Sequence, residues 1–124
     1  LIPRSLTDIN EVDENGDPIL DINGNQLVTL GLKSTWKNTT KTRAAGLLQD
    51  TDWYVVRNAE TSAAIPADVT TYRAAVRTAS GTIETAIDNA ADHAAFVALF
   101  DAPTDADGNV TGNAPINDWP DPLD

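Results

Sequence analysis

Residues 43–77 read RAAGLLQDTDWYVVRNAETSAAIPADVTTYRAAVR, and this stretch carries the clearest signals for the fold. A basic helical segment ends in the pair Leu47–Leu48, and an acidic turn then leads to Trp53. The aromatic and β-branched run from Trp53 to Arg57 favours a short strand or an extended arm. The stretch therefore predicts a helix followed by an extended linker.

Helices are predicted on both sides of that linker. The first begins near Ser34 or Thr35 and runs to about Gln49, with Trp36 and Ala44 on its apolar face at helical spacing. Pro66 favours the first turn of a second helix because its missing N–H costs no hydrogen bond there. Gly81 is typical of a helix terminus, so we expect this second helix to end near it.

Two further helical segments are predicted after Gly81. Ile83 and Ile87 share one face of the first segment, and the sequence around Asp92 resembles a helix cap. A fresh helix carrying Phe96 would follow, and Pro103 would end it. Residues 102–124 are rich in Pro, Gly and Asp, which predicts a loop and an extended acidic tail.

The first 32 residues predict β or irregular structure. Two Asn–Gly turns, within residues 13–18 and 22–25, suit positive φ angles. The second turn lies between Ile19–Leu20 and residues 27–30, which favours a hairpin there. The expected fold is mostly α with a small N-terminal β-hairpin (α+β): an arm over 1–32, a module of three to four short helices over 33–101, and a tail over 102–124.

Composition indicates a thin hydrophobic core. The chain has 124 residues, of which 41% are hydrophobic, but alanine supplies much of that share and aromatics are only 6%. Alanine buries little area, so we expect marginal stability without a partner. An independently stable alanine-rich domain is the alternative. Because the chain begins at Leu1 and contains no methionine, we also expect residues before Leu1 in the primary translation product.

The charge and residue content narrow the classes of function. Lys and Arg number 8 against 19 Asp and Glu, a formal net charge of -11, which disfavours nucleic acids and anionic membrane surfaces as partners. No apolar run approaches the roughly 18 residues needed to span a bilayer, so membrane insertion is not expected. The absence of cysteine excludes disulfides and thiolate chemistry.

Candidate catalytic and metal sites are weak. The acidic loops that begin at Asp13 and Asp105 lack the glycine and the glutamate that an EF-hand needs at positions six and twelve. His93 is the only histidine, and no neighbouring nucleophile or charge partner stands out. We therefore expect no catalytic residue, no metal and no cofactor, and hence no enzymatic activity.

One constellation carries recognition chemistry. Aromatic and arginine side chains dominate binding hot spots, and this part of the chain is rich in both. Its arginines could instead pair with local carboxylates such as Asp50, Asp52 or Glu60, which leaves an internal role and a partner contact both open. The candidate residues for partner binding or for the core of the module are Leu47, Leu48, Trp53, Tyr54, Arg57, Tyr72, Arg73 and Arg77.

The ordered set Leu47–Leu48, Trp53, Ile65–Pro66 and residues 72–77 resembles the C-terminal module of bacteriophage tail fibre assembly proteins. In that family a basic helix ends in a Leu-Leu pair, an acidic turn precedes a tryptophan, and a Tyr-Arg-x-x-x-Arg helix follows. The match covers about 35 residues. This chain departs from the pattern in three respects: the linker before Pro66 lacks a Pro-rich loop, residues 1–32 lie outside the motif, and the tail is long and acidic.

The resemblance implies a non-enzymatic phage protein that binds a tail fibre or baseplate partner within an oligomeric assembly. Such proteins act as chaperones in the host cytoplasm or stay in the virion as structural components. We expect the helices around Leu47–Leu48 and Tyr72 to clamp Trp53, leaving one face for the partner. The alternative is a host-surface glycan-binding module that uses Trp53, Tyr54 and Trp119, because aromatic faces stack on sugars.

Overall fold

The computed structural model describes residues 4–123 and is mostly helical. Two short strands, β1 (Ile9–Asn10) and β2 (Val28–Thr29), precede the helices. The helices are α1 (Leu32–Gln49), α2 (Asp52–Thr61), α3 (Ala67–Asn89) and α4 (His93–Ala98), followed by a 3-10 turn at Pro115–Asn117. This confirms the predicted class, mostly α with a small N-terminal β element. No described helix is both long enough and apolar enough to cross a membrane.

The core lies where α1 and α3 pack against each other. Lys41 near the middle of α1 pairs with Glu84, whereas Leu48 near its end meets Arg73, so the two helices run antiparallel. Ile83, Ile87, Ala90 and Phe96 form the buried cluster. The half-buried side chains packed around that cluster are Leu6, Leu32, Trp36, Leu99, Ile116 and Trp119.

The run from Trp53 to Arg57 is helical, so the predicted strand or extended arm was wrong. Asp52 stands in the first turn of α2, where a carboxylate interacts favourably with the helix dipole. Arg57 stacks on Trp53 one turn away, and Ser62 ends the helix in the left-handed conformation (φ 60°). Strand propensity is a weak preference that the surroundings of a segment in the folded chain override.

Helix α3 continues through Gly81, so its predicted end there was also wrong. The helix runs unbroken from Ala67 to Asn89 and merges two segments that the sequence had separated. Glycine inside a helix costs about 1 kcal/mol relative to alanine. Burial of Ile83 and Ile87 on the same helix outweighs that cost.

The predicted cap before α4 is confirmed. The Asp92 carboxylate accepts a hydrogen bond of 2.8 Å from the Ala95 N–H. The helix ends at Ala98, and the backbone is already irregular at Asp101. The helix therefore ends well before Pro103, which was predicted to end it. Its single buried side chain, Phe96, joins the core.

The N-terminal arm, residues 8–30, is held together by a closed triangle of backbone hydrogen bonds. Glu11 donates to Leu27 O (2.9 Å), Leu27 to Ile19 O (2.8 Å), and Ile19 to Glu11 O (3.0 Å). The side-chain Nε2 of Gln26 lies 2.7 Å from Glu11 O, 2.8 Å from Leu27 O and 3.2 Å from Ile19 O. Polar pairing rather than apolar burial therefore orders the arm, and many of its apolar side chains stay exposed: Ile9, Val12, Leu20, Ile22 and Val28.

Strand pairing in the arm differs from the predicted hairpin. The second Asn–Gly turn closes with a single bridge between Leu20 and Gln26. The named strands instead join Ile9 to Thr29 and Asn10 to Val28, in antiparallel register. Between these strands a bridge from Val12 to Pro18 closes the first turn, and the Glu11 N–H bond to Leu27 O continues the pairing of the strands.

Three turns share one geometry. In each, an aspartate accepts hydrogen bonds of 2.8–3.0 Å from the N–H groups two and four residues later; these aspartates are Asp13, Asp21 and Asp105. A glycine three residues after each aspartate has φ +85°. The positive φ predicted for the first two turns is confirmed, and the acidic loop at Asp105 is a third copy of the same turn.

The N-terminus of α1 is closed by the chain segment before β1. The Leu32 N–H donates to Ser5 O (2.8 Å), the Lys33 N–H to Leu6 O (3.0 Å), and the Gly31 N–H to the Asp8 carboxylate (2.9 Å). Distant groups therefore satisfy helix donors that have no partner inside the helix. No cap at Ser34 or Thr35 is needed, since the helix begins at Leu32.

Gly31→Ala is expected to lower the free energy of unfolding by about 1–3 kcal/mol. An added Cβ would stand 2.4 Å from the backbone of Thr7, so the arm and the start of α1 would have to separate. Gly81→Ala is the matched control: nothing lies near its Cβ, and it is expected to stabilise the protein by about 1 kcal/mol. Chemical denaturation of both variants measures the contrast, and equal effects would contradict it.

Acid is expected to weaken the attachment of the arm. The Gly31 N–H and then the Ser34 hydroxyl hold the pKa of Asp8 below its ordinary value of 3.8. Its stabilising contribution is therefore complete above that value and is lost as the pH falls through the lower folded-state pKa. In melts from about pH 6 to about pH 3, Asp8→Asn should start less stable and lose less stability than the parent. An Asp8→Asn variant with undiminished acid sensitivity would count against this assignment.

Residues 102–123 pack on the helices and contain little regular structure. A bridge joins Thr104 and Val110 around the third aspartate turn, and the Ile116 N–H donates to Leu99 O at 3.0 Å. Ile116 and Trp119 then pack against the core cluster. The predicted loop is confirmed along this segment, but the Trp119 side chain also helps to cover α3.

Candidate interaction site

Three of the candidate residues lie on α2, where Trp53 is exposed and Tyr54 and Arg57 are half-buried. The Trp53 and Tyr54 rings meet edge to face, with centroids 4.8 Å apart and planes at 74°. The Arg57 guanidinium carbon stands 4.6 Å from the Trp53 centroid and 5.5 Å from that of Tyr54. We call these three residues the α2 cluster. Cation–π contacts of this kind hold an exposed indole in one orientation before a partner arrives.

Trp53 is not clamped between helices, contrary to the sequence-based expectation. Its side chain is 60% exposed, and α2 buries none of its residues. Leu47 and Tyr72 do lie close together, where they line one cavity of about 350 Å³ together with Tyr54. Within α2, Tyr54 is half-buried and faces that cavity, whereas Trp53 is exposed.

One polar atom of the α2 cluster is unsatisfied. The Nε of Arg57 is buried and, within residues 4–123, has no hydrogen-bond partner. A buried donor without a partner costs about 1–3 kcal/mol. Because this atom is out of reach of solvent, the surface that the cluster offers is the exposed apolar face of Trp53.

Arg73 has an internal structural role. Its Nη1 donates to Leu48 O (2.9 Å) and Thr51 Oγ1 (2.8 Å) and pairs with the Asp52 carboxylate (2.9 Å). The Arg73 side chain is only 14% exposed. It satisfies a carbonyl at the end of α1 and holds the start of α2 against α3. Of the two roles left open for the arginines, Arg73 takes the pairing with a local carboxylate.

Arg77 lies on the solvent side of α3, one turn after Arg73. It is exposed, and no hydrogen bond or ion pair to it occurs in the described part of the chain. Leu48 is half-buried, and its carbonyl rather than its side chain makes the contact with Arg73. The eight candidate residues thus divide into an exposed pair, Trp53 and Arg77, and a half-buried set that joins α1, α2 and α3.

Sequence reasoning missed two contributors to this site. Thr51 is buried, and its hydroxyl donates to Leu48 O (3.1 Å) while accepting from Arg73. Val56 is exposed one turn from Trp53 and widens the apolar face of α2. The signal for Val56 was present, since it follows Trp53 by three residues, a helical spacing of apolar side chains.

His93, the other candidate residue for chemistry, makes a structural contact. The Nε2 of His93 lies 2.7 Å from Arg4 O, so this ring joins the N-terminal segment to α4. Among residues 4–123 no group of three or more His, Asp or Glu side chains is arranged to hold a metal ion. Of the aromatics in the glycan alternative, Trp119 packs against the core and lines the cavity beside Trp36, whereas Tyr54 lines the cavity beside Leu47.

Comparison with known proteins does not identify a family for this chain. No protein-family model matches the sequence, and neither the curated proteins nor the solved structures that were searched include a match.

Proposed function

We propose that this chain is a non-enzymatic bacteriophage tail protein that binds a tail fibre or baseplate partner through the α2 cluster. The observation that carries the proposal is Trp53, an indole largely exposed on a helix that buries nothing. The ordered motif around Leu47–Leu48, Trp53 and Tyr72 supports the tail fibre assembly class. That class includes transient chaperones and permanent virion components.

The energetics of α2 support a docking role. Trp53, Val55 and Val56 are all exposed on one short helix, so their apolar area is available to a partner. Tryptophan and arginine are the residues most enriched in binding hot spots, and the Arg57–Trp53 stack has already restricted both side chains. Less conformational entropy is then lost on binding.

Trp53→Ala tests the docking role. We expect it to weaken binding to the tail fibre of the same phage by at least about 2 kcal/mol, roughly 30-fold, without change in the melting temperature. Co-expression and co-purification, followed by calorimetric titration, measure the loss. Val97→Ala on α4 is the matched control, because Val97 is similarly exposed (59%) and lies outside the α2 cluster. Equal fibre binding by Trp53→Ala and the parent would contradict the proposal.

Protein mass spectrometry on purified virions separates the two forms of the proposal. A virion component remains in the particle, whereas a chaperone is found only in the infected cell.

A glycan array with Trp53→Ala and Trp119→Ala tests the alternative function, a host-surface glycan-binding module. Binding of bacterial glycans that depends on both tryptophans, without fibre binding, would favour a host-surface module.

A further inference from the structure

A second candidate site lies against residues 36–43 of α1. Its cavity of about 280 Å³ opens between α1, the end of α4 and the C-terminal segment. Trp36, Phe100, Ile116 and Trp119 form apolar walls, and Arg43 and Asn117 stand among the polar lining residues. We call it the aromatic cavity. None of its lining residues belongs to the α2 cluster.

The walls of the aromatic cavity are preformed. The Trp36 and Phe100 rings meet edge to face, with centroids 4.9 Å apart and planes at 79°. Phe100 also meets the buried Phe96, with centroids 5.5 Å apart. The Ile116 N–H bond to Leu99 O fixes the C-terminal wall. Little conformational entropy is therefore lost when a group enters, which favours binding.

Arg43 gives the cavity its charge preference. Elsewhere on α1 the basic side chains are engaged by α3: Lys37 pairs with Asp88, and Lys41 with Glu84. Arg43 is exposed and, across residues 4–123, makes no hydrogen bond or ion pair. Of the residues that the structure describes, it is the one charged residue that lines the cavity, in a chain whose net charge is -11. An uncommitted guanidinium beside an apolar cavity favours a carboxylate, which it can bind through two parallel hydrogen bonds.

The size of the cavity favours one large side chain. Pockets for drug-sized ligands run from about 300 to 1,000 Å³, and this cavity falls below that range. Aromatic walls prefer an aromatic guest, because edge-to-face contacts add to the burial of apolar area. Phosphate-rich nucleic acid is disfavoured by the charge of the chain. We propose that the aromatic cavity binds a partner-protein segment in which an aromatic side chain stands beside a carboxylate, with Arg43 receiving the carboxylate.

Two matched small probes test this assignment on the intact chain. N-acetyl-L-tryptophan carries the ring and a carboxylate, whereas N-acetyl-L-tryptophan amide carries the same ring without charge. We expect both to shift the NMR signals of the Trp36 and Trp119 indole N–H groups, with the acid binding about tenfold more tightly. The titration is run in the Trp53→Ala background so that the α2 cluster cannot contribute.

Two arginine variants test whether Arg43 is the group that binds the carboxylate of the probe. Arg43→Gln should abolish the tenfold preference for the acid, while both probes still enter the apolar cavity. Arg77→Gln, an equally exposed arginine on α3, should leave the preference unchanged. Equal affinity for acid and amide, signal shifts with N-acetyl-L-alanine as large as those with the tryptophan probes, or no shift at the highest soluble probe concentration would each overturn the proposal. Because fibre binding is assayed separately through Trp53, either proposal can fail alone.

Discussion

Replacing Ile87 with alanine is expected to lower the free energy of unfolding by about 2–5 kcal/mol. Ile87 is completely buried at the centre of the cluster that α3 forms with Phe96, and its removal leaves a cavity that the helices cannot fill. Alanine suits a helix at least as well as isoleucine, so helix propensity cannot account for the loss. Urea denaturation followed by circular dichroism measures it.

The size of this effect follows from how few side chains share the core. Within residues 4–123 only Val76, Ile83 and Ile87 are large side chains with essentially no exposure, so each carries a large share of the burial. Thr85→Ala is the matched control on the same helix, since Thr85 is exposed and its replacement should change stability little. A change for Ile87→Ala no larger than that for Thr85→Ala would show that the cluster is not the stabilising core.

Arg73→Met is expected to cost about 2–3 kcal/mol and to release α2 from the other helices. The side chain is largely buried and serves Leu48, Thr51 and Asp52 with a single Nη1, so its loss leaves the carbonyl and hydroxyl with fewer partners. Methionine keeps the length and apolar volume of the side chain, which limits the added cost of a void. Denaturation and amide hydrogen exchange of α2 measure the two effects.

Arg77→Met provides the comparison for Arg73→Met. Arg77 is four residues further along α3 and is exposed, so the same chemical change there should leave both stability and α2 exchange unaltered. If α2 kept its protection in Arg73→Met, the three hydrogen bonds of Arg73 would not be what holds this helix. Loss of fibre binding by Arg73→Met would then need another cause.

The position of Arg73 connects stability to the proposed function. Helix α2 has no buried side chain, so its place on the molecule depends on the turn at Thr51 and on the bonds from Arg73. A helix held at one end can present Trp53 to a partner while the rest of the molecule keeps its shape. We therefore expect Arg73 variants to weaken fibre binding indirectly, by misplacing the indole, and Trp53 variants to weaken it directly.

Much of the local structure was predictable from short-range chemistry. The Asn–Gly turns, the cap at Asp92 and the helix before Gln49 follow from residues within one turn of each other. Leu47 and Tyr72 also lie close together as expected, although the whole of α2 stands between their helices along the chain. The candidate recognition residues were chosen because aromatic and arginine side chains stand out in an alanine-rich chain.

The sequence by itself determined the composition of the core, the turns and the helix cap, because hydrophobic periodicity and local hydrogen bonding act over a few residues. Only the tertiary structure decided that residues 53–57 are helical, that α3 passes through Gly81 and that Trp53 faces solvent. Local preferences at these places are weak, about 1 kcal/mol or less. Contacts between distant segments, such as those of Arg73 and Ile87, are larger and therefore set the outcome.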